Sequence, residues 1–265
     1  MNENLSAPAK IALIIGGAGG IGKATSKLLN ARGYRVLIAD LPSVISEASR
    51  GECLSEFTFL EVDVLSKGSV DSMFAEVGAK FGGLDVLVNS AGNIHPALSS
   101  EADEIAWDRL LNIHLSGTFR CCQGAYPLLE ASQSAAILNL SSILAGRGVS
   151  GRASYASAKA GVEGLTRVLA VEWARAGIRV NCVAPGYVAT SMNAEAVRVG
   201  KLDVEQLETR IPLARLASAD EIAQGIAFLI SSEAAYVTGQ VLVIDGGLSI
   251  SGEWDHPRRE ASQKK

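Results

Sequence analysis

Seven short apolar runs punctuate the chain: IALII (11–15), RVLIA (35–39), FTFLEV (57–62), LDVLV (84–88), AAILNL (135–140), IRVNCVA (178–184) and QVLVI (240–244). Most show no alternation of polar and apolar positions. That is the pattern of strands covered on both faces, as parallel strands are beneath two layers of helices. The stretches between them, such as 66–82, 101–130 and 154–176, are long enough for crossover helices. Gly33 and Gly177 close two of the helical patterns, and Ser218 with Glu221 offers a capping box ahead of IAQGIAFLI. The repeated alternation of strand and helix predicts an α/β fold, a doubly wound parallel sheet of Rossmann type with about seven strands and helices on both faces. No internal repeat or linker interrupts the pattern. Residues 1–251 are therefore expected to form one domain and 252–265 a C-terminal tail. The exception is 187–215, a long and poorly patterned excursion of the kind that often forms a lid.

Composition narrows the function classes. With 265 residues, 48% hydrophobic and 20% charged, the chain suits one compact enzyme domain rather than a disordered or fibrous protein. A formal net charge of −4 gives no basic footprint for nucleic acid, and the ending HPRREASQKK reads as a solvated tail. Cys53, Cys121, Cys122 and Cys182 show no CxxC or zinc spacing, which predicts reduced thiols and no metal site. MNENLSAPAK lacks the apolar core of a signal peptide, and no run is long enough to cross a membrane. The expected location is the cytoplasm.

The first apolar run leads into GGAGGIG, with Gly16, Gly20 and Gly22 at a strand-to-helix turn. Glycine there permits a tight turn and lets backbone N–H groups approach a pyrophosphate at the helix N-terminus. The second run ends in Asp40, twenty residues after Gly20. A carboxylate at that place accepts hydrogen bonds from an adenosine ribose and repels a 2′-phosphate. No Lys or Arg lies within 16–22 or at position 41 to receive such a phosphate, so the expected cofactor is NAD.

Tyr155 and Lys159 stand four residues apart in YASAK, on one face of the helix they open. A free phenol ionises too high to act as a base at neutral pH, and a nearby ammonium favours the phenolate. Lys159 could also hold a ribose hydroxyl. Ser142 ends the fifth run in NLSS, where its hydroxyl could hold a substrate oxygen at the ligand edge of the sheet. Within WDRLLNIHLSGTF, the stripe Trp107, Leu110, Leu111, His114, Thr118 and Cys121 follows helical spacing. His114 is thereby expected to face inward, and Asn112 to share the outer face with Asp108, Arg109 and Ser116.

Over about residues 8–250 the chain resembles the short-chain dehydrogenases/reductases, through GGAGGIG (16–22), NSAG (89–92), LSS (140–142), YASAK (155–159), NCVAPG (181–186) and IDGG (244–247). The resemblance implies Tyr155 as general acid/base, Lys159 as its modulator and ribose ligand, and Ser142 as the group orienting the carbonyl or alcohol. Gly16, Gly19, Gly20, Ile21, Asp40 and Leu41 would contact the cofactor, with Asp63 and Val64 flanking the adenine. Asn89, Ala91 and Gly92 would line the cleft, and Pro185, Gly186, Val188 and Thr190 would hold the nicotinamide. Ser90 and Ile15 depart from the usual residues without removing a group that hydride chemistry needs. A third departure places His114 where an asparagine usually completes the catalytic set and helps hold a water linking Lys159 to solvent. His114 would fill that relay position through its backbone carbonyl or a ring nitrogen.

Ile94, Leu144, Val149, Tyr187 and Met192 occupy places that border the substrate in that family, Leu144, Tyr187 and Met192 being the contacts expected beside Ser142 and Tyr155. They imply a fairly apolar pocket and a non-acidic secondary alcohol or ketone. Arg147 and Arg152 could meet an acidic substrate, but a solvated loop or subunit contact is the plainer reading, as a surface loop is for His95. The resulting expectation is an NAD-dependent alcohol dehydrogenase/ketone reductase. The alternatives are an NADP-dependent acyl-carrier ketoreductase and a non-catalytic dinucleotide-binding regulator. Pairing through the helices at 101–130 and 154–176, with small residues at 156, 158, 160 and 161 easing close approach, would give a homotetramer.

Overall fold

The computed structural model describes residues 9–48, 57–190 and 203–252. Cys53, Met192, the middle of the expected lid and the tail from 253 lie outside the described residues. The strands are β1 (Ile11–Ile15), β2 (Arg35–Asp40), β3 (Thr58–Glu61), β4 (Val86–Asn89), β5 (Ala136–Leu140), β6 (Arg179–Pro185), β7 (Val188–Ala189), β8 (Ala217–Ser218) and β9 (Val241–Ile244). Seven of them form one parallel sheet in the order β3-β2-β1-β4-β5-β6-β9. This is the doubly wound sheet that the seven apolar runs predict. β7 and β8 form a short ladder of their own that brackets the expected lid, β7 at its start and β8 just beyond its end, where the sequence shows no strand pattern.

The helices are α1 (Gly20–Ala31), α2 (Pro42–Ala48), α3 (Lys67–Phe81), α4 (Glu104–Leu111), α5 (Gly117–Glu130), α6 (Ala153–Trp173), α7 (Val204–Arg210) and α8 (Ala219–Ile230). Successive strand side chains point to opposite faces, so each strand feeds two cores. Leu13, Ile15, Leu37 and Leu87 pack with Val77, Cys121, Ala125, Leu129 and Leu169 from α3, α5 and α6. Ala12, Ile14, Ile38 and Val88 pack with Leu29, Ile222 and Ile226 from α1 and α8. Local stop signals act as expected: Gly33 has φ +83° after α1, Gly177 has φ +75°, and Ser218 with Glu221 closes a capping box on α8.

One continuous helix over 101–130 is not what forms. α4 passes through a π-helical turn, Asn112–Ser116, before α5 begins. Gly117 N–H reaches back to Asn112 O, and the Thr118 hydroxyl donates to His114 O at 2.7 Å. The wide turn keeps His114 buried at 2% exposure while Asn112 stays outside, bonded by Arg120 at 3.3 Å. Such turns recur at functional sites. The small residues of α6 have a role within the chain: a Cβ at Gly161 would stand 2.8 Å from Leu115 of that turn.

Candidate active site

Parallel strands deliver their carboxyl ends to one edge of the sheet, and a crevice opens there where the strand order reverses, between β1 and β4. Gly16 leaves β1 with φ +75°, and a Cβ there would lie 2.6 Å from Ala91 N, so the first turn and the NSAG segment pack backbone to backbone. A Cβ at Gly22 would lie 2.1 Å from Gly16 O. Gly19 caps α1 with no side-chain hydrogen bond and no atom near its missing Cβ. The first-turn amides, including those of Gly20 and Ile21, therefore meet no competing side-chain acceptor. Gly20 faces Thr190, whose Cγ2 would stand 3.0 Å from an added Cβ.

Asp40, at the end of β2, accepts from Ala18 N–H at 3.3 Å and from Leu41 N–H at 2.9 Å. Burial raises its pKa, and those two bonds oppose the rise. Each carboxylate oxygen keeps a lone pair for a further donor. Leu41 is exposed beside it. Asp63 follows β3 and accepts from Leu65 N–H at 2.9 Å, while Val64 is buried with its carbonyl held by Arg120. At the far side, Pro185 ends β6 paired with Ile244, and Gly186 packs so closely on Asp245 that a Cβ would meet it at 2.8 Å. Val188 lies buried just beyond. An open glycine turn, uncapped amides and a carboxylate at the end of β2 fit a nicotinamide dinucleotide.

Ser142 follows β5 as the cap of a short 3₁₀ turn, accepting from Leu144 N–H at 3.2 Å, and its hydroxyl is near enough to the Tyr155 phenol to favour its ionised form. Lys159 is buried one turn further along α6 and donates to Leu140 O at 2.6 Å. Its Nζ stands 5.6 Å from the centre of the Tyr155 ring. Burial lowers the lysine pKa to about 8. Burial raises that of Tyr155, opposed by the Ser142 hydroxyl and the charge of Arg152. The expected lowering of the phenol by Lys159 is thus not met: desolvation outweighs the charges around it, and the ammonium is engaged with a carbonyl.

His114 meets Tyr155 edge to face, with ring centres 5.2 Å apart. Its Nε2 lies 2.8 Å from Asn93 O and 3.3 Å from Asn93 N. A carbonyl only accepts, so the shorter contact places the proton on Nε2 and leaves Nδ1 bare; Nδ1 has no partner. Burial, then the Lys159 charge, lower the His114 pKa to about 3, and the ring is neutral. A Cβ at Gly92 would lie 2.3 Å from the ring, which explains why that position is glycine here.

The NSAG asparagine turns inward. Asn89 Nδ2 donates to Asn139 Oδ1 at 2.9 Å and to Cys122 Sγ at 3.3 Å, and Asn139 donates to Thr166 at 2.9 Å. This ladder ties β4, β5, α5 and α6 together beneath the cleft. Asn139 has a sequence signal, as a polar residue inside AAILNL, whereas Asn93 and Thr166 have none. Leu144 and Tyr187 join Ile143, Ile211 and Leu248 in a small apolar cluster by Ser142. Ile94 and Val149 lie at the surface. Cys121 and Cys122 are wholly buried and unpaired, the Cys121 thiol pushed up to about 12 by burial, so both pack.

Residues 16–249 match a family model described as enoyl-(acyl carrier protein) reductase. The chain is 40% identical over 242 residues to cis-4-hydroxycyclohexanecarboxylate dehydrogenase of Sinomonas cyclohexanicum, covering 90% of this chain and 96% of that protein. It is 38% identical over 246 residues to a 3-oxoacyl-acyl-carrier-protein reductase of Thermotoga maritima, covering 91% and 98%. It spans 45% of the length of a longer relative, an uncharacterized short-chain type dehydrogenase/reductase of Sinorhizobium fredii, at 41% identity. Among solved structures, one described as ribose-5-phosphate isomerase from Brucella melitensis superposes with a TM-score of 0.87 at 33% identity, covering 95% of this chain and 98% of that one. A backbone likeness to a protein described by another reaction does not select the chemistry; the site does.

Proposed function

The chain belongs to the short-chain dehydrogenase/reductase family and is an oxidoreductase of that type, and we propose that it is an NAD-dependent dehydrogenase/reductase acting on a secondary alcohol and its ketone. The observation that carries the reading is the Ser142 hydroxyl beside the Tyr155 phenol at the carboxyl edge of the sheet, with Lys159 buried one helical turn away. When bound, the dinucleotide supplies the hydride donor or acceptor. Gly16, Gly19, Gly20 and Ile21 would hold its pyrophosphate, Asp40 and Leu41 its adenosine ribose, and Asp63 and Val64 its adenine. The walls would be Ala91, Gly92 and the backbone of Asn89, whose side chain is tied beneath the cleft, on one side and Pro185, Gly186, Val188 and Thr190 on the other. Asp40 favours NAD because a half-buried carboxylate at the end of β2 repels a 2′-phosphate.

Ser142 orients the substrate oxygen, and Tyr155 gives that oxygen a proton on reduction or removes one on oxidation. A phenol held neutral by burial is ready to donate, so reduction needs no prior ionisation, while oxidation requires Tyr155 to lose its proton first. Lys159 stabilises that phenolate and would bind a ribose hydroxyl. His114 would fill the relay position as a neutral ring whose bare Nδ1 can accept a hydrogen bond, while its carbonyl accepts from Thr118.

The reading extends to a cytoplasmic homotetramer. Ile105, Phe119, Val168 and Val171 leave apolar surface exposed on α4, α5 and α6, which a second copy would cover. Among the described residues no helix is long and apolar enough to cross a membrane. The names of the relatives support a second reading, reduction of a 3-oxoacyl group on a carrier protein, in which NADPH would be the reductant. One assay separates the two: reduced nicotinamide followed with secondary alcohols and NAD, and with a carrier-bound 3-oxoacyl group and NADPH. Tyr155→Phe is expected to lower kcat/KM at least about 100-fold while NAD still binds. A Phe variant that works at the unmodified rate would refute the role of Tyr155.

A further inference from the structure

Buried polar atoms nearly always find partners, because leaving water uncompensated costs free energy, and a charged group costs most. Among the described residues three such side-chain atoms have none: Asn89 Oδ1, His114 Nδ1 and Arg152 Nη1. Only Arg152 carries a permanent charge. It caps α6 three residues before Tyr155, so both side chains leave the same first turn of that helix.

The two arginines between Ser142 and Tyr155 differ in their commitments. Arg147 donates to Leu248 O, which secures the segment after β5 against the turn after β9 and accounts for its charge structurally. Arg152 Nη1 meets no acceptor, neither a carbonyl nor a carboxylate, yet it is shut away from water. Arg147 is exposed, as a solvated loop requires, whereas the enclosed Nη1 sets Arg152 apart from that plain reading. Beside Ser142, in the turn that follows it, the lining is apolar, from Leu144 and Tyr187 with Ile143 and Leu248.

We infer that Arg152 is a carboxylate receptor, and that the substrate is a secondary alcohol or ketone on an apolar skeleton that carries a carboxylate a few bonds from the reacting carbon. This rests on the hydride-transfer reading, because Tyr155 and Ser142 fix where the reacting oxygen sits. A guanidinium presents paired donors matched to a carboxylate, and a water-poor setting strengthens the bond. One cation matches one negative charge: Lys159, the buried cation nearby, is bonded to Leu140 O. Leu144 and Tyr187 cover the skeleton, so an apolar pocket and an acidic substrate are compatible. Arg152 is close enough to oppose the rise in the Tyr155 pKa, and a bound carboxylate would cancel that influence and hold the phenol protonated.

The test compares 3- and 4-hydroxycyclohexanecarboxylate with their primary amides, which keep shape and lose charge, in the unmodified enzyme, Arg152→Gln and Arg152→Lys. The readout is the acid-to-amide ratio of kcat/KM, in which any general effect on Tyr155 cancels. The unmodified enzyme is expected to favour the acids at least about tenfold, Arg152→Gln to bring the ratio to about one, and Arg152→Lys to restore part of it. A ratio near one in the unmodified enzyme overturns the inference. So does a ratio that Arg152→Gln leaves unchanged while both rates fall, since Arg152 would then act only on Tyr155. If none of these alcohols is turned over, hydride transfer to this class fails, and the receptor is read separately from the binding of cyclohexanecarboxylate and cyclohexanecarboxamide to the NADH-loaded protein by saturation-transfer NMR. Binding of the carboxylate alone, abolished by Arg152→Gln, upholds the receptor; equal binding, persistent binding or none overturns it.

Discussion

Acidification should destabilise this protein through His114. The ring is 2% exposed, donates from Nε2 to Asn93 O, and presents a bare Nδ1 to an interior with no acceptor and with the Lys159 ammonium nearby. Protonation would place an unsatisfied N–H and a second positive charge in that setting, and the folded-state pKa is accordingly about 3 against an ordinary 6.5. The unfolded chain takes its proton as the pH falls through about 6.5, and the folded chain waits until about 3. The stabilisation is therefore complete above the unfolded value and is lost on acidification through the window between the two. Each unit below about 6.5 removes about 1.4 kcal/mol, so this one residue should cost on the order of 2–3 kcal/mol by about pH 4.5. His114→Asn keeps a polar side chain and removes the titration. Urea unfolding of both proteins at about pH 7.5 and about pH 4.5, at matched subunit concentration, isolates the difference. Curves that lose the same stability over that interval would refute the buried, neutral assignment.

Asp40→Ala should weaken NAD and relieve the repulsion of NADP, shifting the preference at least about tenfold, or roughly 1.4 kcal/mol, in binding isotherms; equal affinity of the unmodified protein for both would sink the assignment. Gly92→Ala should destabilise by about 1–3 kcal/mol, because its methyl would enter the His114 ring. Adding His114→Ala to that variant should cost much less than in the unmodified background, and additive costs would show that the two do not touch. Light scattering should give about four times the 27.6 kDa chain mass, and a monomer at micromolar concentration would contradict the tetramer.

Much of this was legible in the chain because the physics involved is local. A strand covered on both faces must be apolar without interruption, and Leu37, Ile38, Val86 and Val88 are buried as that rule requires. Gly16 and Asp40 could be placed because a glycine turn and a strand-end carboxylate each follow from position along one element. The inward face of His114 followed from spacing for the same reason. The π-helical turn that carries it did not, since that turn answers to Gly92 and Tyr155, which come from elsewhere in the chain. Ionisation was the least accessible property. Spacing puts Lys159 one turn from Tyr155 and suggests a lowered phenol, yet burial dominates that group and Leu140 O engages the ammonium. Arg147 and Arg152, five residues apart in one polar stretch, look alike in the sequence. One is bonded to Leu248 O and the other has a buried nitrogen with no acceptor, a distinction that depends entirely on what the fold brings beside each. A charge without a partner is costly unless something that binds supplies one, so Arg152 is where the chain itself says most about the molecule it is built to receive.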